Sequence, residues 1–286
     1  MKTYWLGEGC RNDFVIFDLL DEPETFSETF LNQAHQILMA ERRDDALILL
    51  PEQVSSQQFR LKMIVLEPDR SIAAFCGNGA RVVAAYLEQK YVRPFPQFFL
   101  AAHDGNHELF FLDHGLYGVD MLATKTNPAL SQFVSESARS VFESRAHYEQ
   151  VLPVRFQNKD LLCYFTETSE PHLVLFDSLS SEEFTAFGAY VNNERRDFFP
   201  LGININQISV LDPTTIAVQT YERGVNRITQ ACGTGSTSSA VLCYLLGKVQ
   251  SMNIHVQTSG GALVIAYNAQ QNRSVLQGPA RVWQPR

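Results

Sequence analysis

The sequence predicts an α+β protein with two pseudo-symmetric lobes, each a curved and mainly antiparallel sheet around a central helix. The prediction rests on two similar stretches, residues 75–81 (FCGNGAR) and residues 231–237 (ACGTGST). Each places a cysteine after a short apolar run, continues with a glycine-spaced turn, and leads into a helical pattern of apolar residues. The cysteines at positions 76 and 232 lie in different halves of the 286-residue chain, so each lobe would contain one copy.

Hydrophobic periodicity predicts the elements around these two turns. In the first half we expect helices beginning at residues 23–25 and covering residues 82–89, and strands at residues 4–6, 14–20, 46–50, 59–66, 98–101, 108–112 and 116–121. In the second half we expect helices at residues 181–192 and 237–246, and strands at residues 151–156, 161–165, 172–176, 208–211, 215–221, 253–257, 263–267 and 280–284. Pro51 is expected to end the strand at residues 46–50.

The chain is expected to divide into an N-terminal lobe, residues 1–124 with Cys76, and a C-terminal lobe, residues 125–275 with Cys232. Residues 123–131, which contain Asn127-Pro128, are the best candidate for a linker. The last strand, within about residues 276–286, could return to the N-terminal lobe. We expect the functional site in the cleft between the lobes, where ligand sites often form.

Composition and charge indicate a small-molecule partner. The net charge of −8 provides no basic surface for nucleic acid or an anionic membrane. No apolar run reaches the ~18 residues that a membrane-spanning helix needs. The first residues lack the basic and apolar segments of a signal peptide, so a cytoplasmic location is expected.

The five cysteines indicate neither a disulfide framework nor a metal site, because their number is odd and none are spaced as CxxC. The glycine turns also lack the features of nucleotide-binding loops. Neither turn has the lysine of a P-loop, and Val82 and Ser238 stand where a dinucleotide-binding loop needs its third glycine. We therefore expect no cofactor and no metal.

The two turns are suited to binding a carboxylate beside a reactive thiol. Backbone N–H groups at a helix start have no partner within the helix and lie at the positive end of its dipole. The Gly77-Asn78 and Gly233-Thr234 pairs could therefore bind a substrate carboxylate, and the same field favours thiolates at Cys76 and Cys232. One thiolate could remove the α-proton of an amino acid while the other thiol delivers a proton to the opposite face.

A single cysteine before such a turn would more often be a packing residue. Cys10, Cys163 and Cys243 are interpreted in that way. Two cysteines in matched settings, one in each half, favour the chemical interpretation.

At these residues the chain resembles the diaminopimelate epimerase family, the racemases that use two cysteines and no pyridoxal phosphate. The similar motifs are residues 76–81 (CGNGAR), residues 230–235 (QACGTG), residues 9–18 (GCRNDFVIFD), Pro171-His172, Asn204 and residues 221–224 (YERG). The resemblance covers most of the chain. It implies two β-barrel lobes, each around a helix, an active site between them and often a homodimer. It also implies interconversion of LL- and meso-diaminopimelate, precursors of lysine and the cell wall.

The resemblance also implies a role for each matching residue. Cys76 and Cys232 would be the base and acid, and His172 and Glu222 would orient the reacting amino group or assist proton transfer. Three further residues would bind substrate, namely Asn12, Asn204 and Arg223. Two structural alternatives stay open: Glu222 and Arg223 could form an exposed ion pair, and His172 could be a buried structural histidine.

The departures from the family pattern concern substrate choice. Glu67 lies in residues 67–71 (EPDRS), where the family usually has NADGS, and Glu170 replaces the asparagine before Pro171-His172. The family's Asp-Gln pair is Asp45-Ala46, and residues 224–231 contain one extra residue. Like charges about 4 Å apart repel by roughly 4 kcal/mol at an effective dielectric constant of about 20, enough to change which side chain is bound.

Three functions therefore remain. If Glu67 and Glu170 point away from the cleft, the substrate is diaminopimelate. If they line it, the substrate is a cationic amino acid such as histidine, lysine, ornithine or arginine. The alternative from another class is a non-catalytic relative that only binds a small acid.

Overall fold

The computed structural model describes residues 3–54, 58–91, 97–113, 115–145 and 148–285. The chain forms two compact units. Unit 1 consists of Met1–Asp120 and Val275–Arg286, and unit 2 is the continuous segment Met121–Ser274. None of the helices within the described residues is long and apolar enough to cross a membrane.

Unit 1 combines β-strands with two α-helices among its described residues. Its elements are β1 Trp5–Gly9, β2 Asn12–Asp18, α1 Glu28–Glu41, β3 Asp45–Val54, β4 Gln58–Leu66, β5 Ile72–Ala73, α2 Gly77–Tyr91, β6 Gln97–Ala102, β7 Gly105–Phe111 and β8 Leu116–Asp120. β1–β2, β3–β4, β6–β7 and β7–β8 are antiparallel pairs. β2–β3 and β4–β6 are parallel, because a helix connects each of these pairs.

Unit 2 has its own strands and helices. Its elements are α3 Glu136–Arg139, β9 Glu143–Arg145, β10 Tyr148–Phe156, β11 Lys159–Thr168, β12 Glu170–Leu175, α4 Ser181–Glu194, β13 Asn204–Asp212, β14 Thr215–Glu222, β15 Arg227–Thr229, α5 Gly233–Leu245, β16 Asn253–Thr258 and β17 Gly261–Asn268. Two strands follow, β18 Arg273–Pro279 and β19 Arg281–Trp283. β18 pairs with β8, and β19 with β1.

The two units repeat one topology. The order from β1 to β7, including α1 and α2, recurs from β11 to β17 with α4 and α5. The parallel pairs recur as well, as β12–β13 and β14–β16. α2 is buried along residues 77–87 and α5 along residues 233–243, as expected of helices at the centre of a curved sheet. The predicted α+β fold class is confirmed.

Both helices after the cysteines begin earlier than the sequence predicted. The predicted starts were residues 82 and 237, but α2 begins at Gly77 and α5 at Gly233. The prediction treated the glycine-spaced residues as a turn. They form the first helical turn because the preceding cysteine caps it.

Further differences concern two prolines, the end of the chain and several short elements. Pro23–Thr25 is a separate 3₁₀ turn, and α1 begins only at Glu28, where the Ser27 hydroxyl accepts the Phe30 N–H at 3.2 Å. β3 does not end at Pro51; it continues to Val54 with a register shift after the proline, an irregularity that accommodates the missing N–H. β18 was not predicted, and neither were the short elements β5, α3, β9 and β15.

Candidate active site

Cys76 caps α2 through its sulfur. Sγ accepts the backbone N–H of Gly79 at 3.3 Å, so the thiol occupies the place that serine or aspartate takes at most helix starts. Asn12, at the start of β2, places its Oδ1 4.0 Å from this sulfur. The side-chain amide of Asn78 donates to the same Oδ1 at 3.4 Å. Unit 1 therefore brings together four of the predicted site residues: Asn12, Cys76, Gly77 and Asn78.

Asp44 determines which end of the Asn12 amide faces Cys76. One carboxylate oxygen, Oδ2, accepts Asn12 Nδ2 at 2.9 Å and the backbone N–H of Asp13 at 2.8 Å. Because the amide nitrogen is held by Asp44, the amide oxygen is turned towards Cys76 and Asn78. Asp44 was not predicted as a site residue, although a carboxylate between a helix and a strand was a weak indication of a site.

Arg81, one helical turn into α2, is completely buried. Its Nη2 donates to the Cys10 sulfur at 3.5 Å. Burial lowers the pKa of Arg81, while the nearby Cys10 and Cys76 sulfurs act in the opposite direction. Burial likewise raises the pKa of the Cys10 thiol. Cys10, interpreted from the sequence as a packing residue, thus contacts a buried cation close to Cys76.

Cys232 caps α5 in the same way. Its backbone is extended (φ −116°, ψ 115°), and Sγ accepts the N–H of Gly235 at 3.4 Å. The hydroxyl of Thr234 lies 3.3 Å from the sulfur. Both cysteines therefore receive an N–H from the residue three positions later. Cys232 is 9% exposed.

His172 lies behind Thr234 and is completely buried. Its Nε2 is 3.1 Å from the Thr234 hydroxyl, and its Nδ1 is 3.2 Å from Nδ2 of Asn206. Burial lowers the pKa of His172 to about 3, with a further contribution from the charge of Arg223. His172 is therefore neutral at physiological pH. Asn206 was not predicted as a site residue, although it shares a face of β13 with Asn204 two positions earlier.

Arg223 is the centre of a second cluster in unit 2. Its guanidinium pairs with the Glu170 carboxylate, donates to the Leu201 carbonyl at 3.0 Å, and lies 4.9 Å from the centre of the Phe133 ring. Its backbone N–H donates to Asn204 Oδ1 at 3.0 Å. Glu170 thus does not stand as an isolated charge; its carboxylate pairs with the cation that the resemblance assigns to substrate binding.

Glu222 and Glu67, the two remaining predicted carboxylates, bind hydroxyl groups. The Thr229 hydroxyl donates to Glu222, at the end of β14. The Ser71 hydroxyl donates to Glu67, in the turn between β4 and β5. The carboxylate that pairs with Arg223 in unit 2 belongs to Glu170.

Comparison with known proteins identifies the family. A family model described as diaminopimelate epimerase matches residues 164–283. The diaminopimelate epimerase of Carboxydothermus hydrogenoformans is 30% identical, with 90% of this chain and 89% of the relative covered. The chain belongs to the diaminopimelate epimerase family. The enzyme of Chlorobaculum tepidum with the same family name is 26% identical over 96% of both chains.

Solved structures agree on the fold. A predicted epimerase from Pseudomonas aeruginosa has a TM-score of 0.67 at 12% identity, covering 100% of this chain and 99% of the other. A probable proline racemase from Agrobacterium radiobacter has a TM-score of 0.65 at 10% identity, covering 99% and 92%. Family membership makes this protein an isomerase of the epimerase and racemase class, so the non-catalytic alternative is not supported. The individual roles of the site residues and the expected homodimer stay predictions.

Proposed function

We propose that this enzyme inverts the α-carbon of an amino acid by two-base proton transfer between Cys76 and Cys232, without a cofactor. The main support is the matched setting of the two sulfurs, each at the N-cap of a buried helix and each accepting the N–H three residues later. A helix N-terminus favours the charged form of a thiol, which is the form that removes a proton.

The proposed reaction exchanges one proton for another. The thiolate takes the α-proton, and the electron pair of the broken C–H bond is delocalised into the substrate carboxylate. The backbone N–H groups at Gly77-Asn78 and Gly233-Thr234 offset the charge that develops there. The opposite thiol then donates its proton to the other face. The product has the inverted configuration, and the two sulfurs have exchanged their thiol and thiolate states.

Diaminopimelate is the first candidate substrate. It is supported by the names of the relatives that cover most of this chain. Asn204 and Arg223, which the resemblance assigns to substrate binding, are both present and in contact.

A cationic amino acid is the second candidate, and one observation favours it. A second substrate carboxylate would need an available cation, but the Arg223 guanidinium is already paired with Glu170 and bound to the Leu201 carbonyl. A bound carboxylate would have to displace Glu170, leaving a partly buried charge without its partner, which is costly. An ammonium or imidazolium side chain would instead be attracted by Glu170.

Incorporation of α-deuterium from deuterated water tests both parts of the proposal. The enzyme is incubated with single enantiomers of diaminopimelate, histidine, lysine, ornithine and arginine. Exchange in either diaminopimelate or a cationic amino acid is expected, and the substrate that exchanges fastest decides between the two candidates. Cys76→Ala and Cys232→Ala should each abolish inversion, with Cys163→Ala as the control outside both caps. Inversion that persists in either cysteine variant would refute the two-base mechanism.

A further inference from the structure

Four hydrogen-bonded groups lead from β13 to the sulfur of Cys232. In order they are the amide of Asn206, the imidazole of His172, the hydroxyl of Thr234 and Sγ of Cys232, at successive distances of 3.2, 3.1 and 3.3 Å. Asn206 and His172 are completely buried, and Thr234 is 5% exposed. Because these groups are shielded from water, each must find its donor or acceptor within the chain.

The Gly235 carbonyl fixes the orientation of the Asn206 amide. Nδ2 of Asn206 lies 3.3 Å from this carbonyl oxygen, which can only accept a hydrogen bond. Nδ2 has two hydrogens, so it also donates to Nδ1 of His172. The Oδ1 atom of Asn206 has no hydrogen-bond partner among the described residues. A buried carbonyl oxygen without a hydrogen-bond partner is destabilising. The hydrogen bonds that Nδ2 donates account for an asparagine at this position.

The amide in turn fixes the tautomer of His172. A neutral imidazole has one N–H and one acceptor nitrogen. Since Nδ1 accepts from Asn206, the hydrogen is on Nε2. Nε2–H therefore donates to the Thr234 hydroxyl oxygen. The positive charge of Arg223 disfavours a second proton on the ring.

The hydroxyl hydrogen of Thr234 is then directed to Cys232. Its oxygen already accepts from His172, and the sulfur at 3.3 Å is the acceptor that the structure provides. The Gly235 N–H donates to the same sulfur. Cys232 thus faces two donors, the Thr234 hydroxyl and the Gly235 N–H.

We propose that Asn206, through His172 and Thr234, stabilises the thiolate of Cys232. This deepens the proposed function and rests on it, because the thiolate is the form of Cys232 that removes a proton. Asn206 is a positioning residue, since it acts on the sulfur only through two others.

The test is the pH dependence of alkylation by iodoacetamide in the substrate-free enzyme, measured for each cysteine by peptide mass spectrometry. The pH midpoint is compared rather than the rate, because the two cysteines differ in exposure. Asn206→Leu and Thr234→Val should each raise the Cys232 midpoint by about one pH unit, the value of one hydrogen bond to a charged group. The Cys76 midpoint should not change.

Two further variants separate this role from a general loss of packing. Thr234→Ser keeps the hydroxyl and should therefore keep the low Cys232 midpoint of the parent enzyme, whereas Thr234→Val should not. Gln207→Leu is the matched control, because Gln207 is the next residue of β13 and bonds the backbone of Leu179 at 2.9 and 3.2 Å instead. It should leave the Cys232 midpoint unchanged.

The proposal is overturned if either Asn206→Leu or Thr234→Val keeps the original Cys232 midpoint. Such results would leave the racemase proposal intact, because this experiment contains no substrate. Absence of deuterium exchange in the parent enzyme would instead refute the proposed racemisation, and it would not affect the titration of the cysteines.

Discussion

The buried neutral histidine of unit 2 makes the stability of this enzyme depend on pH. In the folded protein, burial lowers the pKa of His172 from an ordinary value of 6.5 to about 3. In the unfolded chain the same imidazole binds a proton below about pH 6.5. Between these two values the unfolded state binds one proton more than the folded state, so stability falls as the pH falls. Replacing His172 by glutamine removes this contribution.

The size of the effect follows from the two pKa values. A difference of one pKa unit corresponds to about 1.4 kcal/mol. From pH 7 to pH 5 the unfolded imidazole goes from mostly neutral to almost fully charged, while the folded one stays neutral. The parent should therefore lose about 2 kcal/mol more of its free energy of unfolding over this range than His172→Gln does. At pH 7 the variant itself should be the less stable, because it breaks the contacts to Asn206 and Thr234.

Native-state hydrogen exchange of peptides covering β12 and β13 measures this local free energy of unfolding. His255→Gln, which removes an exposed histidine from β16 of the same unit, is the matched substitution control. Both tryptophans, Trp5 and Trp283, belong to unit 1, so their fluorescence separately reports on that unit. Equal pH dependence of the parent and His172→Gln in the β12 peptides would refute the assignment of a buried neutral imidazole.

Three further outcomes are expected. Ser180→Ala removes the capping box of α4 and should lower the free energy of unfolding by about 1 kcal/mol in urea denaturation, whereas Ser180→Asp should retain most of it. Gly188→Ala should destabilise by about 1–3 kcal/mol in thermal melting despite its better helix propensity, because the new Cβ would lie 2.3 Å from Cγ of Tyr221; a stabilised variant would contradict that contact. Glu170→Gln releases the Arg223 guanidinium and should raise kcat/KM for diaminopimelate relative to lysine by about tenfold, and an unchanged ratio would separate Glu170 from substrate choice.

The local features of this protein could be predicted from the sequence. The motif of a cysteine before a glycine-spaced helix start lies within a few consecutive residues. Its repetition predicted the duplicated topology. The alternation of apolar residues likewise predicted most strands, because each alternation reflects one buried face. The first turns of α2 and α5 were predicted wrongly as loops, because glycine is common both in turns and where a helix packs closely. At Gly235, a Cβ would lie 2.9 Å from Asn206 Oδ1.

The contacts that complete each site could not be predicted, because they join residues far apart in the chain. Glu170 and Arg223 are 53 positions apart, and Asn206 and Gly235 are 29 apart. The sequence presented Glu170 as an added negative charge and Arg223 as an available cation. Only the fold shows that the two neutralise each other. Asn206 gave only a weak signal, the face of β13 that it shares with Asn204, since its proposed effect on Cys232 passes through two other side chains.

The use of a reactive sulfur as a helix cap links the reaction to the ends of two helices. A thiolate is a stronger hydrogen-bond acceptor than a thiol, so the bonds from Gly79 and Gly235 strengthen when their cysteine is charged and weaken when it takes a proton. In the proposed reaction the charge moves from one cysteine to the other at every turnover. The first turn of one helix would then tighten as the first turn of the other relaxes, and the exchange rates of these two amides would record which sulfur holds the proton.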